Sequence, residues 1–319
     1  MIRPTRYRGM VLTSHPTMKI RCLLSILVLI CLTSSTPAQQ IADPEFDIHV
    51  AKPAYTKNYP RVLFDEAHNN FHTTSGRYKP FADLMVNDGY NVIRGRKTFA
   101  KPSLSTFKIL VIANALGVDD MDDEGADTPA FTEQECDAVR DWVKDGGALL
   151  LIADHAPFGA AAENLGKRFG VDMSKGFTYD PENSLKEFGP SVLIYSRENK
   201  SLGDHPITRG RNDAEKINRV IAFTGQSLKG PENSTPLLIL ADTASDRPDR
   251  ESDKSVSAAG RAQALAFKFG KGRVVIMGEA AMLSAQLAGA EKRPMGMNVP
   301  GSDNRQLALN IMHWLSGLL

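Results

Sequence analysis

From Arg61 onwards, short apolar runs alternate with segments whose apolar residues recur at helical spacing. Arg61–Phe64 reads as a strand, and Phe81, Leu84 and Met85 then mark one face of a helix that Asp88-Gly89 stops. Tyr90–Ile93 and Ile109–Ile112 predict two further strands, both bounded by polar or turn residues. The next helix carries its own punctuation. Thr132-Glu133-Gln134-Glu135 has the form of a capping box, Cys136, Val139, Trp142 and Val143 make a buried stripe, and Gly146-Gly147 ends it. A strand over Ala148–Ile152, a loop over Asp154–Gly159 and a helix over Ala160–Phe169 follow. This alternation predicts an α/β fold with a doubly wound, mostly parallel sheet.

From Val171 the rhythm changes. Val192–Tyr195, Arg219–Phe223 and Leu237–Ala241 read as strands without long helices between them, which predicts an inserted antiparallel extension around residues 171–260. Ser245–Gly260 lacks any apolar period and is expected as a mobile surface loop. Gln263–Phe267 and Arg273–Met277 flank Gly270-Lys271-Gly272, a hairpin turn. The chain closes on a helix from about Asp303, with Leu307, Ile311, Trp314 and Leu315 on one face.

The first residues belong to a different pattern. A basic stretch, Met18-Lys19-Ile20-Arg21, precedes an apolar core from Cys22 to Leu32 and the small residues around Thr36-Pro37-Ala38. That order is expected of a secretory signal peptide, with a basic leader, over residues 1–38. The apolar run is shorter than the roughly 20 residues a membrane-spanning helix needs, so membrane contact would come only through an uncleaved signal segment. A polar linker over residues 39–59 and a single domain over 60–319 follow, and the expected location is secreted or periplasmic. Cleavage removes Arg3, Arg6, Arg8, Lys19 and Arg21 and no acid, taking the formal net charge from +1 to −4. A mildly acidic body offers no footprint for nucleic acid. Only Cys136 survives cleavage, so neither an intramolecular disulfide nor a cysteine metal cluster can form. Its place on an apolar helix stripe is that of an inert thiol.

Polar residues follow the strands where chemistry is expected. In a parallel sheet the carboxyl ends of the strands form the ligand crevice. Asp65, Glu66, His68 and Asn69 follow the first strand, Asn114 the third, Asp154 and His155 the fourth, and Glu279 the late strand Arg273–Met277 if that strand is parallel. His68 and His72 are four apart and could face one ion, with Asp65 and Asp154 as further ligands; imidazole and carboxylate suit zinc or a similar divalent ion. The same side chains could equally cap the following helix and bond the loop backbone. Asp154-His155 stands at a strand-to-helix turn that lacks the G-x-S-x-G frame of a serine hydrolase.

With these residues the chain resembles the class I glutamine amidotransferase-like superfamily, and within it the DUF4350 and GldG/IFT52-type domains. The resemblance rests on Phe64-Asp65-Glu66-Ala67-His68, Ile112-Ala113-Asn114, and Gly146-Gly147 leading into Leu151-Ile152-Ala153-Asp154-His155. His205-Pro206-Ile207-Thr208-Arg209-Gly210 and the closing Asp303-Asn304 to Trp314-Leu315 extend it over most of the chain after Pro60. It implies a flavodoxin-like fold. Where the superfamily's enzymes carry a catalytic cysteine this chain has Asp154-His155, and only Glu279 resembles their His/Glu pair, so glutamine hydrolysis through a thioester is not expected. The resemblance implies instead a domain of the kind proposed to bind carbohydrate in the cell envelope, where an envelope protein partner is also conceivable.

Two readings follow. In the first, Asp65, His68, Asn69, Asn114, Asp154, His155 and Glu279 hold a glycan or another small polar ligand, with Phe71, Tyr78 or Phe158 stacking on a sugar face. In the second, a metal-dependent hydrolase uses Asp65, His68, His72 and Asp154 around a divalent ion, and Glu66, Asp154, His155 or Glu279 moves the proton.

Overall fold

The computed structural model describes residues 40–319, so the signal peptide expected over residues 1–38 lies outside the described residues. A short strand, β1 (Gln40–Ala42), comes first. Then β2 (Arg61–Asp65), α1 (Lys79–Asn87), β3 (Asn91–Gly95), α2 (Lys101–Leu104), β4 (Ile109–Ala113), α3 (Glu133–Lys144), β5 (Ala148–Ile152) and α4 (Phe158–Arg168) alternate. Short strands follow: β6 (Asp172–Met173), β7 (Phe177–Tyr179), β8 (Val192–Ser196), then α5 (Pro206–Arg209), β9 (Arg219–Phe223), β10 (Leu228–Lys229), β11 (Thr235–Ile239), β12 (Ser245–Arg247) and β13 (Val256–Ser257). The chain ends with β14 (Ala262–Phe269), β15 (Gly272–Met277), β16 (Ala285–Ala288), β17 (Arg293–Gly296) and α6 (Asn304–Ser316).

The main sheet is mixed and nine-stranded, in the order β3-β2-β4-β5-β15-β14-β10-β6, with β11 also on β14. β3, β2, β4, β5 and β15 are mutually parallel; β14 turns back antiparallel on β15. Successive residues of a strand point to opposite faces, and both faces here are apolar. Val62, Phe64, Val111, Leu150 and Met277 pack with Phe81, Leu84 and Met85 of α1 and with Leu307, Ile311 and Leu315 of α6. Leu110, Ile112, Leu149, Leu151 and Ile276 pack on the other face with Cys136, Val139 and Val143 of α3 and Ala162 and Leu165 of α4. Helices thus cover both faces, as the alternation predicts.

α3 begins on the expected capping box. The Glu135 N–H donates to Thr132 Oγ1 at 3.3 Å, and the Thr132 N–H donates to the Glu135 carboxylate at 3.0 Å. The β14–β15 turn needs its glycine. Gly270 has φ +58, and a Cβ there would meet the Lys144 carbonyl oxygen at 2.6 Å.

Two expectations are corrected. Residues 39–59 do more than link: Gln40–Ala42 pairs antiparallel with Ala288–Gln286, and Phe46, Val50 and Tyr55 pack against the core. Within Ser245–Gly260, β12 pairs with both β7 and β13. Its anchor is polar. Buried Asp246 accepts from Thr178 Oγ1 at 2.6 Å and from the Ser227 hydroxyl, so an apolar period could not reveal it.

Candidate functional site

Because β15 runs parallel to β5, the ends of β2, β4, β5 and β15 share one edge of the sheet. The strand order reverses between β2 and β4, the kind of switch point at which open α/β sheets bind ligands. A cavity of about 820 Å³ opens at this edge. Phe71, His72, Asn114, Asp154, His155 and Phe158 line one side, and Thr224, Gln286 and residues of β17 line the other.

Asn114, Asp154 and His155 therefore reach the cavity, as does His72. Asn114 adopts φ +52 directly after β4, and its Oδ1 accepts from the Asp154 N–H at 3.1 Å, fixing one strand end against the next. Asp154 accepts from the His155 N–H at 2.8 Å. The His155 ring stacks on Phe177, with centroids 4.6 Å apart.

The remaining candidates are turned away from the cavity. His68 is enclosed: Nδ1 lies 2.9 Å from both carboxylate oxygens of Asp65, and Nε2 lies 2.8 Å from Oε1 of Glu135. Its ring sits between Phe99 and Phe131, at 4.6 and 4.8 Å. Burial alone would lower its pKa, but the hydrogen bonds and charges of Asp65 and Glu135 outweigh it and raise it. No ring nitrogen is left for an ion. Glu66 accepts from the Thr74 N–H at 2.8 Å and hydroxyl at 2.6 Å, and Asn69 is exposed with φ +49. The expected metal ligands Asp65, His68, His72 and Asp154 are thus divided between two places. Among the described residues no three His, Cys, Asp or Glu side chains are grouped to hold a metal ion.

Glu279 sits at the right edge and faces inward. Its carboxyl accepts from the backbone N–H groups of Ala281 at 2.7 Å and Met282 at 2.8 Å. Burial, then the charge of Asp154, pushes its pKa well above the usual carboxyl range, and burial raises Asp154 as well. Tyr78 is fully buried, donates to the Ala280 carbonyl at 2.5 Å and stacks on His72 at 4.7 Å, so it offers no face to a ligand. Burial, with the nearby Arg77 charge, pushes His72 down to about 3. The imidazole is neutral at neutral pH, and its buried Nδ1 has no hydrogen-bond partner among the described residues. Cys136 is on the buried face of α3, where burial pushes its thiol up to about 12.

Sequence reasoning missed several residues. Gln226 donates its amide to the carbonyls of Ala153 at 2.8 Å and Asp154 at 3.0 Å, while its Oε1 accepts from the Lys175 N–H at 2.8 Å. Thr224, on the cavity wall, holds φ +85, a left-handed conformation that a β-branched residue rarely adopts. Both stand in Phe223-Thr224-Gly225-Gln226, polar residues just past a strand, which was the available signal. Arg77, Arg250 and Gln40 also line the cavity, and they come from segments read as loop or linker.

No family model and no curated protein matches the chain. Solved structures do. The mmIFT52 N-terminal domain is 13% identical with a TM-score of 0.56, over 81% of this chain and 97% of its own. Cytoplasmic protein STM3548 from Salmonella typhimurium is 10% identical with a TM-score of 0.46, over 80% of this chain and 98% of its own. A ThuA-like protein from Bacteroides uniformis is 13% identical with a TM-score of 0.41, over 86% and 95%. At these identities likeness concerns the fold alone, and the fold of this chain is shared with the mmIFT52 N-terminal domain.

Proposed function

We propose that this chain is a ligand-binding domain on a glutamine amidotransferase-like, flavodoxin-like scaffold, and that its crevice takes a saccharide or similarly polyhydroxylated molecule in the cell envelope. Counted along the chain, the five parallel strands lie in the order 2-1-3-4-5, which supports the flavodoxin-like part of this reading. The expected signal peptide supports the location.

One observation carries the ligand class. An amide (Asn114), a carboxyl (Asp154) and an imidazole (His155) line the same cavity as the partly exposed ring of Phe71. Donors and acceptors in this mixture satisfy vicinal hydroxyls, and an aromatic face receives the C–H face of a sugar ring. The elbow after β5 carries Asp154-His155 and no nucleophile of the superfamily's kind, which supports binding over amide hydrolysis.

Calorimetric titration with soluble envelope oligosaccharides tests this. Saturable binding that weakens about tenfold, roughly 1.4 kcal/mol, in Asn114→Ala is expected. A folded protein that takes up none of the saccharides would sink the reading.

A further inference from the structure

Six side chains form an unbroken series of contacts, and all but Phe177 line the cavity. Arg77 lies over Phe71 with its guanidinium carbon 4.4 Å from the ring centroid. Phe71 meets Phe158 at 5.4 Å, Phe158 meets His155 at 6.1 Å, and His155 stacks on Phe177 at 4.6 Å. Arg250 closes the series, 4.7 Å over Phe177. Each end is a guanidinium laid on an aromatic face, an arrangement that orients the planar fork and leaves its edge to bind something else.

Neither arginine has a carboxylate within ion-pair distance among the described residues, and residues 1–39 contain no Asp or Glu. Arg77 is half-buried, and its one hydrogen bond among those residues runs from Nε to the Gln40 carbonyl at 3.2 Å. The third arginine on the wall, Arg293, is already paired with Glu291. A partly desolvated guanidinium with unsatisfied terminal N–H groups is a binding site for an oxyanion, since charge-assisted bonds to carboxylate or phosphate are the ones its geometry fits.

We propose that the crevice selects an anionic saccharide, with Arg77 and Arg250 reading its acidic groups from the two ends of this series and Phe71, the partly exposed phenyl ring of the series on the cavity wall, carrying a sugar ring. This rests on the saccharide reading of the crevice. It adds that the ligand is acidic, of the uronic-acid or sugar-phosphate class.

The test compares trigalacturonate, its methyl ester, a neutral trisaccharide, glucose 6-phosphate and inorganic phosphate by calorimetry at low salt. Wild-type protein is expected to prefer trigalacturonate or glucose 6-phosphate over the neutral probes by about tenfold or more. The preferred probe identifies the source of the anionic group. Arg250→Gln, at an exposed position, and Arg77→Gln should each reduce that preference, and the double variant should abolish it. Equal affinity for acid and ester with no preference for the phosphorylated sugar, or a preference that survives in the double variant, overturns the proposal and leaves the saccharide reading standing. Binding of inorganic phosphate with no saccharide overturns both.

Discussion

His68 and Glu135, 67 residues apart in the chain, meet at 2.8 Å in a buried contact that ties the loop after β2 to the first turn of α3. The same Glu135 oxygen accepts from the Phe99 N–H at 3.0 Å, so a single carboxylate gathers three segments beside the switch point. The His68 pKa is raised on folding and that of Glu135 is lowered. Burial acts against both shifts, and the hydrogen bonds of the pair outweigh it. Stability from the raised histidine is complete below its unfolded value of 6.5 and fades as pH rises through the folded value. Stability from the lowered glutamate is complete above 4.5 and fades as pH falls through its folded value. Urea unfolding of His68→Ala should show a deficit of about 3 kcal/mol or more against wild type. That deficit should be greatest between these two values and shrink as the pH rises through the folded histidine value. A flat difference across pH would contradict the pairing.

Asp154 behaves in the opposite sense to Glu135. Its carboxyl is raised by burial, so the stability linked to it is complete below the ordinary 3.8 and is lost as pH rises through the folded value. Asparagine keeps an oxygen to accept from the His155 N–H and cannot ionise. Asp154→Asn should therefore gain on wild type between about pH 4 and about pH 8, read as the difference in thermal midpoint at each end. A difference that moves the other way would mean that the ionised carboxylate is the favoured form.

Gly159, on the first turn of α4, is a steric control on the same region. A Cβ there would lie 2.3 Å from Gln226 Nε2 and 2.5 Å from its Oε1. Gly159→Ala must displace the amide that holds the carbonyls of Ala153 and Asp154, at an expected loss of about 1–3 kcal/mol. Chemical denaturation gives the loss, and a Gly159→Ala protein as stable as wild type would show that Gln226 can move freely.

Chelation distinguishes the enclosed His68 from a metal ligand. With both ring nitrogens held by carboxylates, EDTA should shift the melting temperature by less than about 1 °C. A fall of several degrees, reversed by zinc, would point to an ion that holds the fold.

The frame of the fold was legible because it rests on local signals. The capping box at Thr132, the apolar runs of β4 and β5, and the hairpin at Gly270 each lie within a few residues of one another. Strand ends likewise identified the edge of the sheet. They did not indicate which polar side chains turn outward, because that depends on partners distant in sequence or on nearby backbone. Asp65 and His68 are drawn inward by Glu135, and Glu279 is captured by two amides of the following turn, whereas Asn114 and Asp154 remain at the cavity. The far wall was invisible for a related reason. β16 and β17 are strands of four residues, β17 carries Pro294 and Gly296, and the pairing of β16 with β1 spans most of the chain.

That pairing sets where the working unit begins. Gln40 lines the cavity and its carbonyl receives Arg77, although the first strand of the main sheet starts only at Arg61. A chain begun at Pro60 would retain every parallel strand and both helical layers. It would lose β1 from the edge of β16, the anchor of Arg77 and part of the cavity wall. The segment ahead of the sheet therefore belongs to the site as much as the strand ends do, and a functional boundary drawn from the sheet alone would fall some twenty residues too late.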